Sequence, residues 1–314
     1  MLFFSYMAKA FGQVSILMIM VALGFICDKV GLYTQRIAKD CNNLLFYIIT
    51  PAVILQSFLK VEFNAANTVS FLLMAVIMAV FHVIGAVVVR FLYKNSGANR
   101  PIFQYASVYG NVGFMGLPLA EAVAGAEGVF YCSAAVVIFN ISAFTHGISL
   151  MQRGKEKLAL NKILINPGSI GIMISIPLCL LKFFLKVELP QLVMTPINYI
   201  GNLNTPMAML MFGTYLANTD LLGMVKQKEN YLVILMKLLV FPAVVLTGVY
   251  LAGVRGPLLL TAAVACSAPT ANNTVMFAAK YDRDTGIASK ASGFSSIVSI
   301  FTMPLFIALA DLLG

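Results

Sequence analysis

The chain has 314 residues and a formal net charge of +9, with 60% hydrophobic and only 11% charged residues. Its mean hydropathy of +0.91 excludes an ordinary water-soluble domain and indicates a membrane protein with many spans. The positive charge does not indicate nucleic-acid binding, because Lys and Arg occur in short segments between apolar runs, where such residues set membrane orientation.

Apolar segments long enough to span a membrane follow one another along the whole chain. A span needs about 20 mostly apolar residues, which leaves room for roughly ten here and none for a separate soluble domain. The run from Phe11 to Cys27 lacks the basic flank and cleavage site of a signal peptide, so we interpret it as the end of the first span. The predicted spans are 5–27, 42–59, 69–92, 102–125, 127–151, 168–186, 191–217, 231–252, 257–280 and 287–312.

The basic residues divide unequally between the two sides of this predicted membrane. Of the 21 Lys and Arg residues, Lys237 lies within a span, five fall on the side of the N-terminus and the rest fall in the alternate loops on the other side. Cytoplasmic loops are those rich in Lys and Arg. The pattern therefore predicts that both termini lie outside the cell.

An internal repeat is visible in the spacing of a few residues. Three pairs are 155 residues apart: Thr50-Pro51 and Thr205-Pro206, His82 and Lys237, and Arg100 and Arg255. The offset predicts two halves, 1–151 and 168–314, joined by a cytoplasmic loop at 152–167. Each half holds five spans, so the second half enters the membrane from the opposite side. Inverted repeats of this kind are common in secondary transporters, whose substrate sites lie between the two halves.

Two spans in corresponding positions carry residues that interrupt helices. The fourth contains GNVGFMGLP (110–118) and the ninth contains CSAPTANN (266–273). Glycine and proline weaken a helix, and backbone that leaves the helix inside a bilayer must be buried in protein or line a wet cavity. We therefore predict an all-α membrane protein in which broken helices four and nine cross beside a ligand. Their N–H groups would favour an anion, and their free carbonyls a cation.

The candidate ligand-binding residues are those that can donate hydrogen bonds at the breaks. Asn111, Asn272 and Asn273 are predicted to contact a ligand carboxylate, and the alternative is that they cap the half-helices. Lys237 lies deep in a span, where it either offsets a bound anion, substitutes for a moving cation or caps carbonyls of a broken helix. The residues predicted to form the crossing or its hinges are Gly113, Gly116, Pro118, Pro269, Thr50, Pro51, Thr205 and Pro206. Helix packing or simple kinking is the alternative for these.

The acidic residues bear on ion coupling. All twelve fall in loops or near span ends, so no carboxylate lies at the middle of a span, where cation-coupled antiporters usually hold one. Glu121 and His82 are the two candidates for proton coupling, and an exposed Glu and a packing His are the alternatives. The chain has no metalloprotease, hydrolase or phosphate-loop motif, and five scattered cysteines predict neither a metal site nor a disulfide framework. We predict no enzyme activity, cofactor or metal.

Several segments resemble the auxin efflux carrier family in its bacterial branch, which includes malate and malonate permeases. They are NVGFMGLPLAEAVAGAEGVFY with FNISAFTHG in the first half, and CSAPTANNTVMFAAKYDRDTGIAS with SSIVSIFTMPLF in the second. The resemblance extends over nearly the whole chain. It implies a plasma-membrane transporter with ten spans in two inverted repeats, carrying auxin-like monocarboxylates or dicarboxylates such as malonate and malate. It also places the family's crossover prolines at Pro118 and Pro269, and its carboxylate-binding asparagines at Asn111 and at Asn272 or Asn273.

The same resemblance implies a division of labour among the spans. Spans one, two, six and seven would form a scaffold, through which the protein would form a homodimer, and the other six would form a transport domain. The plant carriers' long cytosolic loop is absent from residues 152–167. The leading hypothesis is alternating-access transport of a small organic anion within membrane lipid, with H⁺, Na⁺ or no coupling ion. A sodium-coupled symporter, or a membrane sensor that binds without transporting, are the alternatives.

Overall fold

A computed structural model of the chain describes residues 2–61, 64–152, 167–185 and 189–314. These residues are nearly all helical, which confirms the predicted all-α class. In chain order the α-helices are α1 Leu2–Lys29, α2 Gln35–Leu44, α3 Thr50–Lys60, α4 Ala65–Val89, α5 Arg100–Val108, α6 Leu117–Ser142, α7 Ile148–Met151, α8 Pro167–Leu185, α9 Gln191–Asn202, α10 Asn204–Ala217, α11 Leu221–Lys226, α12 Lys228–Ile234, α13 Phe241–Leu251, α14 Gly256–Ser267, α15 Asn273–Lys280 and α16 Thr285–Leu313.

Wider π-helical turns connect several of these helices without a loop. They are Leu45–Ile49, Val112–Gly116, Ala143–Gly147 and Leu235–Val240, and a short 3₁₀ turn, Gly97–Asn99, precedes α5. A π-turn inserts an extra residue into a helix and is often found at functional sites. Pro51 follows the first of these turns and Pro242 the last, at helix starts where a missing N–H costs little.

The helices include several that suit a bilayer. Among the described residues, four continuous helical stretches are long and apolar enough to cross a membrane: Ala65–Val89, Val112–Met151, Lys228–Leu251 and Thr285–Leu313. Many large apolar side chains on the outer surface are exposed, including Leu72, Val76 and Val83 of α4. In water such a surface would be unfavourable, so the protein is suited to a lipid environment.

The 40-residue stretch Val112–Met151 is a helical hairpin and not one rod. Gly125 has φ 60° and ψ −145°, a conformation outside the helical region. A Cβ on Gly128 would lie 2.3 Å from the carbonyl oxygen of Ala120, although eight residues of straight helix span about 12 Å. The chain therefore reverses at Gly125, at the boundary that the sequence predicts between its fourth and fifth spans.

The first and tenth α-helices cross at very short distance through glycine. A Cβ on Gly24 of α1 would lie 2.2 Å from the carbonyl oxygen of Leu210, and one on Gly213 of α10 would lie 2.0 Å from that of Val21. Small residues allow two helix backbones to approach closely and are typical of interfaces in membranes. Helix α3 packs in turn against α8 and α9.

Some predicted boundaries differ from the helices observed. The predicted span 191–217 is interrupted at Leu203, where α9 ends and α10 begins. The helix predicted at 42–59 starts earlier, at Gln35, because its polar first turns are part of the same helix. Residues 153–166, which make up nearly all of the predicted connecting loop, lie outside the described residues.

Candidate functional site

Two interruptions of the helical backbone lie against each other in the interior. The first break, residues 109–111, separates α5 from the π-turn that leads into α6, and the second break, residues 268–272, separates α14 from α15. Gly110 and Thr270 form an isolated antiparallel bridge. The N–H of Asn111 donates to the carbonyl of Pro269 over 2.6 Å, and the N–H of Ala271 donates to that of Tyr109 over 2.9 Å. Each break thereby satisfies backbone groups of the other, as burial requires.

The residues at the bridge explain why the helices stop there. Pro269 has no N–H to continue the hydrogen bonding of α14. A Cβ on Gly110 would lie 2.7 Å from Nζ of Lys237 and 3.1 Å from the carbonyl oxygen of Ala268. Only glycine fits this approach without displacement, which accounts for one of the three glycines in GNVGFMGLP.

The second break is held in place by neighbouring helices. The N–H of Thr270 donates to Oγ of Ser295 on α16 over 3.0 Å, and its hydroxyl donates to the carbonyl of Ala106 on α5 over 2.9 Å. The hydroxyl of Ser292 donates to the carbonyl of Thr270 over 3.4 Å. Thr270 is fully buried, and the hydrogen bonds of its backbone and side chain are directed to protein groups.

The first break keeps an unused donor. Asn111 is only 4% exposed, and its Oδ1 accepts from the N–H of Phe114 over 3.4 Å, as an N-cap does. Its amide nitrogen Nδ2 has no hydrogen-bond partner in the described structure. A buried amide without a partner costs about 1–3 kcal/mol, so such groups in native proteins call for an explanation such as a ligand.

Two helix N-termini start at the bridge and supply further donors. The helix after the first break begins at Val112 and the one after the second at Asn273. Within the described part of the chain, the N–H groups of Gly113, Asn272 and Asn273 have no protein acceptor. All three residues are half-buried, and a Cβ on Gly113 would meet no atom within 4 Å. Unused N–H groups at a helix N-terminus favour negatively charged ligands.

Lys237 reaches the bridge from the π-turn Leu235–Val240. The side chain is fully buried, and its Nζ donates to the carbonyl of Cys266 over 3.2 Å and lies 5.1 Å from the centre of the Phe81 ring. In the part of the chain that the structure describes, no ion pair between Lys237 and an acidic side chain is found. The Lys237 ammonium therefore has no acidic partner there. The contacts of this ammonium are the carbonyl of Cys266 in the broken helix and the aromatic face of Phe81, and the three interpretations of its role stay predictions.

Both histidines of the chain flank Tyr109 of the first break. The ring of His82 stacks on that of Tyr109 with centroids 5.5 Å apart, and its Nδ1 lies 2.7 Å from the carbonyl oxygen of Met78. The Tyr109 hydroxyl lies 2.9 Å from Nδ1 of His146. His82 Nε2 has no partner in the described structure. The sequence points to His82 but not to His146 or Tyr109, since neither spacing nor composition shows that the three side chains meet.

Glu121 and the two Thr-Pro segments lie in a second polar cluster. The hydroxyl of Thr205 donates to a Glu121 carboxylate oxygen over 3.3 Å. The hydroxyl of Thr50 donates to Oδ1 of Asn204 over 3.4 Å, so the segments that the sequence paired by offset meet in space. Glu121 is half-buried and not an exposed residue at a span end.

The prolines and glycines predicted at the crossing fall in different places. Pro269 lies within the second break, but Pro118 lies beyond the first one, in the opening turn of α6. Proline is accepted there because it stands in the first turn of the α-helix, where its fixed φ suits the helix and its missing N–H costs little. Gly116 packs inside the hairpin, where a Cβ would lie 3.1 Å from Cγ1 of Val112. Pro51 and Pro206 occupy first turns of α3 and α10, respectively.

Apolar helices, and two buried helix interruptions that meet and keep unused donors, are features typical of membrane-embedded transport proteins. The chain belongs to the family described as "Membrane transport protein", whose match covers residues 9–307. This is the family of the auxin efflux carriers that the sequence resembles, and it is a family of transporters and not of enzymes.

The similar curated proteins agree with this class. A 303-residue match at 23% identity covers 93% of this chain and 96% of an uncharacterized transporter from Methanocaldococcus jannaschii. A 309-residue match at 23% identity covers 95% of this chain and 94% of the "Putative malonate transporter" of Rhizobium meliloti. "Auxin efflux carrier component 1" of Arabidopsis thaliana is 26% identical over 152 residues, which are 48% of this chain and 24% of the plant protein.

Proposed function

We propose that this protein is a secondary transporter that carries a small organic anion across the plasma membrane by alternating access. The anion binds where the two breaks cross. The observation that carries the proposal is the buried Nδ2 of Asn111, which has no partner in the described structure and stands at the start of a helix. A carboxylate oxygen accepts from such a donor with about twice the strength of a neutral acceptor.

The surroundings of Asn111 favour the same chemistry. The unused N–H groups of Gly113, Asn272 and Asn273 stand at two helix N-termini, and Gly113 faces open space. The Lys237 ammonium lies beside Gly110 and adds a positive charge to the place where the breaks meet. A site with these groups lowers the free energy of an anion and raises that of a cation.

The architecture proposed is ten spans in two inverted repeats, residues 1–151 and 168–314, with a connecting loop at 152–167. The bridge between Gly110 and Thr270 and the contact between Thr50 and Asn204 support it, because each joins corresponding parts of the two halves. The distribution of Lys and Arg supports an orientation with both termini outside. Homodimerisation through a scaffold of the first, second, sixth and seventh spans is part of the same proposal.

Mono- and dicarboxylates are the proposed substrates. The Rhizobium meliloti relative is named for malonate and the Arabidopsis thaliana relative for auxin, and both are carboxylate compounds. The crossing offers donors to a carboxylate but does not by its chemistry choose between these substrates. Three modes of energy supply are compatible with the proposal: proton coupling through Glu121 or His82, sodium coupling, and uniport driven by the gradient of the anion itself.

The proposal is tested by the thermal stability of purified protein with malonate, malate, an indole carboxylate and their neutral amides. Binding to the native state raises apparent stability by mass action. We expect an acid, and not its amide, to stabilise the wild type, and Asn111→Ala to bind it about 10- to 100-fold more weakly because a charge-assisted hydrogen bond is lost.

Asn230→Ala is the matched control. Asn230 is also buried, with an unpartnered amide atom, but it bonds to the carbonyl of Met224 far from the bridge. Equal affinity of wild type and Asn111→Ala would contradict the site, and no stabilisation by any acid would contradict the substrate class. Uptake of the binding acid into proteoliposomes then distinguishes transport from sensing.

A further inference from the structure

The position of Lys237 bears on which ion can drive transport. In the described structure its ammonium contacts the second broken helix at the place where α14 ends, 3.2 Å from the carbonyl oxygen of Cys266. It also lies beside Gly110, since a Cβ on that glycine would come within 2.7 Å of the ammonium nitrogen.

The carbonyl of Cys266 can accept from Lys237 because its usual helical donor is turned away. In a continuous helix it would accept from the N–H of Thr270, four residues later. That N–H donates to Ser295 of α16 instead. The neighbouring carbonyl of Ala265 has no helical donor either, since residue 269 is proline. The carbonyls of Ala265 and Cys266 at the end of α14 therefore lack their usual helical donors and carry the negative end of the helix dipole.

Such a helix end is a cation site. In secondary transporters with interrupted helices, unwound carbonyls and half-helix C-termini coordinate the coupling Na⁺ or H⁺. Here the Lys237 side chain already supplies a positive charge at this place, held in a fully buried position by the π-turn and by the Phe81 ring.

Resting on the proposed transport function, we infer that the Lys237 ammonium occupies the site of a coupling sodium ion, so that this carrier works without sodium. The charge is tethered, and it holds the end of α14 against Gly110 of the first break. It also supplies the positive charge that a symporter would recruit from solution. This geometry therefore argues against the hypothesis of a sodium-coupled symporter.

The test compares the thermal stability of wild type and Lys237→Met in chloride salts of sodium, potassium and N-methyl-D-glucamine. Methionine fills the side-chain path as far as Cε and removes the charged Nζ, which leaves the position of the ammonium vacant. We expect the wild type to unfold at the same temperature in all three salts. Lys237→Met should unfold at a lower temperature and recover saturably with sodium, by roughly 3–6 °C at about 100 times the dissociation constant, and not with N-methyl-D-glucamine.

Lys29→Met is the matched control, because Lys29 also donates to the last carbonyl of a helix, that of Ala217 in α10, over 2.8 Å. Its site is away from the crossing and open to water, so sodium should not restore stability there. A sodium-specific stabilisation of the wild type would overturn the inference, as would a Lys237→Met variant that sodium does not stabilise.

A second measurement decides the matter if Lys237→Met does not fold. Wild-type uptake of the binding acid into proteoliposomes should proceed at an equal rate when sodium is replaced on both sides, and a strict sodium requirement would overturn the inference. The stability comparison needs no substrate. A failure of every acid to stabilise the wild type would therefore contradict the proposed substrate class, while the effect of sodium on the melting temperatures would still test the role of Lys237.

Discussion

The two breaks meet in one bridge, yet their polar groups are treated differently. At the second break, the N–H, the carbonyl and the hydroxyl of Thr270 all form hydrogen bonds to the neighbouring helices α16 and α5. The first break is left open, with Nδ2 of Asn111 unpartnered in the described structure and Gly113 facing space. A crossing built from similar residues can thus have one arm that supports and one arm that offers donors to a ligand.

The largest effect is expected where the two breaks touch. Gly110→Ala would place a methyl group 2.7 Å from Nζ of Lys237 and 3.1 Å from the carbonyl oxygen of Ala268. One arm must shift, so we expect a loss of about 2–3 kcal/mol in the free energy of unfolding, as overpacking typically costs. Chemical denaturation in detergent micelles measures it, and a variant as stable as wild type would show that the bridge is not tightly packed.

A smaller loss is expected at the support of the second break. Ser295→Ala removes the acceptor of the buried Thr270 N–H, and we expect a cost of about 1–2 kcal/mol. Ligand affinity should stay within about twofold of wild type. Ser299→Ala is the control, because the hydroxyl of Ser299 donates only to the carbonyl of Ser296 in its own helix. Equal effects of the two variants would contradict a supporting role for Ser295.

The open arm should show the reverse behaviour. Gly113→Ala adds a methyl group to empty space, so stability should stay within about 0.5 kcal/mol of wild type. The methyl group would occupy space that a bound carboxylate needs, so we expect affinity for the stabilising acid to fall about tenfold or more. Gly248→Ala, at another helical glycine with nothing within 4 Å, should change neither quantity. Unchanged binding by Gly113→Ala would place the ligand elsewhere.

The smallest effect is expected at Asp220, which forms an ion pair with Lys290 on α16, the helix that also carries Ser295. The N–H of Gly223 and the nearby Lys290 of α16 lower the pKa of Asp220, so the ionised form stabilises the fold. A lowered pKa contributes stability above the ordinary value of about 4, and this is lost as the pH falls through the folded value. Asp220→Asn keeps the cap and removes the charge.

The melting temperature of Asp220→Asn should therefore lie slightly below that of wild type at pH 7, and the difference between the two should vanish in acid. Asp284→Asn is the control, because Asp284 caps α16 in the same manner and forms no ion pair in the described structure. A difference between wild type and Asp220→Asn that persists unchanged at pH 3 would contradict the pKa direction.

The sequence predicts the parts of this structure that depend on local backbone chemistry. Pro269 lacks the N–H that would continue α14, Gly110 permits the close approach at the bridge, and Gly125 lies at the predicted boundary between two spans. The all-α membrane class follows from composition, and family membership confirms the resemblance. The sequence also predicts that Asn111 lies at a break, because the glycines and the proline around it are typical of an interrupted helix.

Other features depend on packing that no spacing reveals. Pro118 looks like a crossover residue in sequence but lies in a helix, because the π-turn before it carries the chain past the break. The same kind of turn directs Lys237 to the end of α14, and its sequence, LMKLLV, resembles any apolar helix. Likewise His146 meets Tyr109 only because the reversal at Gly125 brings the second arm of the hairpin back.

The reversal at Gly125 also couples the two arms of α6. A single residue joins them, so a slide or tilt of one arm is either followed by the other arm or taken up by the backbone angles of Gly125. The first arm begins beside Asn111, and the second continues through the turn Ala143–Gly147 to Met151. If the proposed anion moves the first arm, the glycine at this joint decides how much of the movement reaches the second arm, because it is the one residue between the two helical arms.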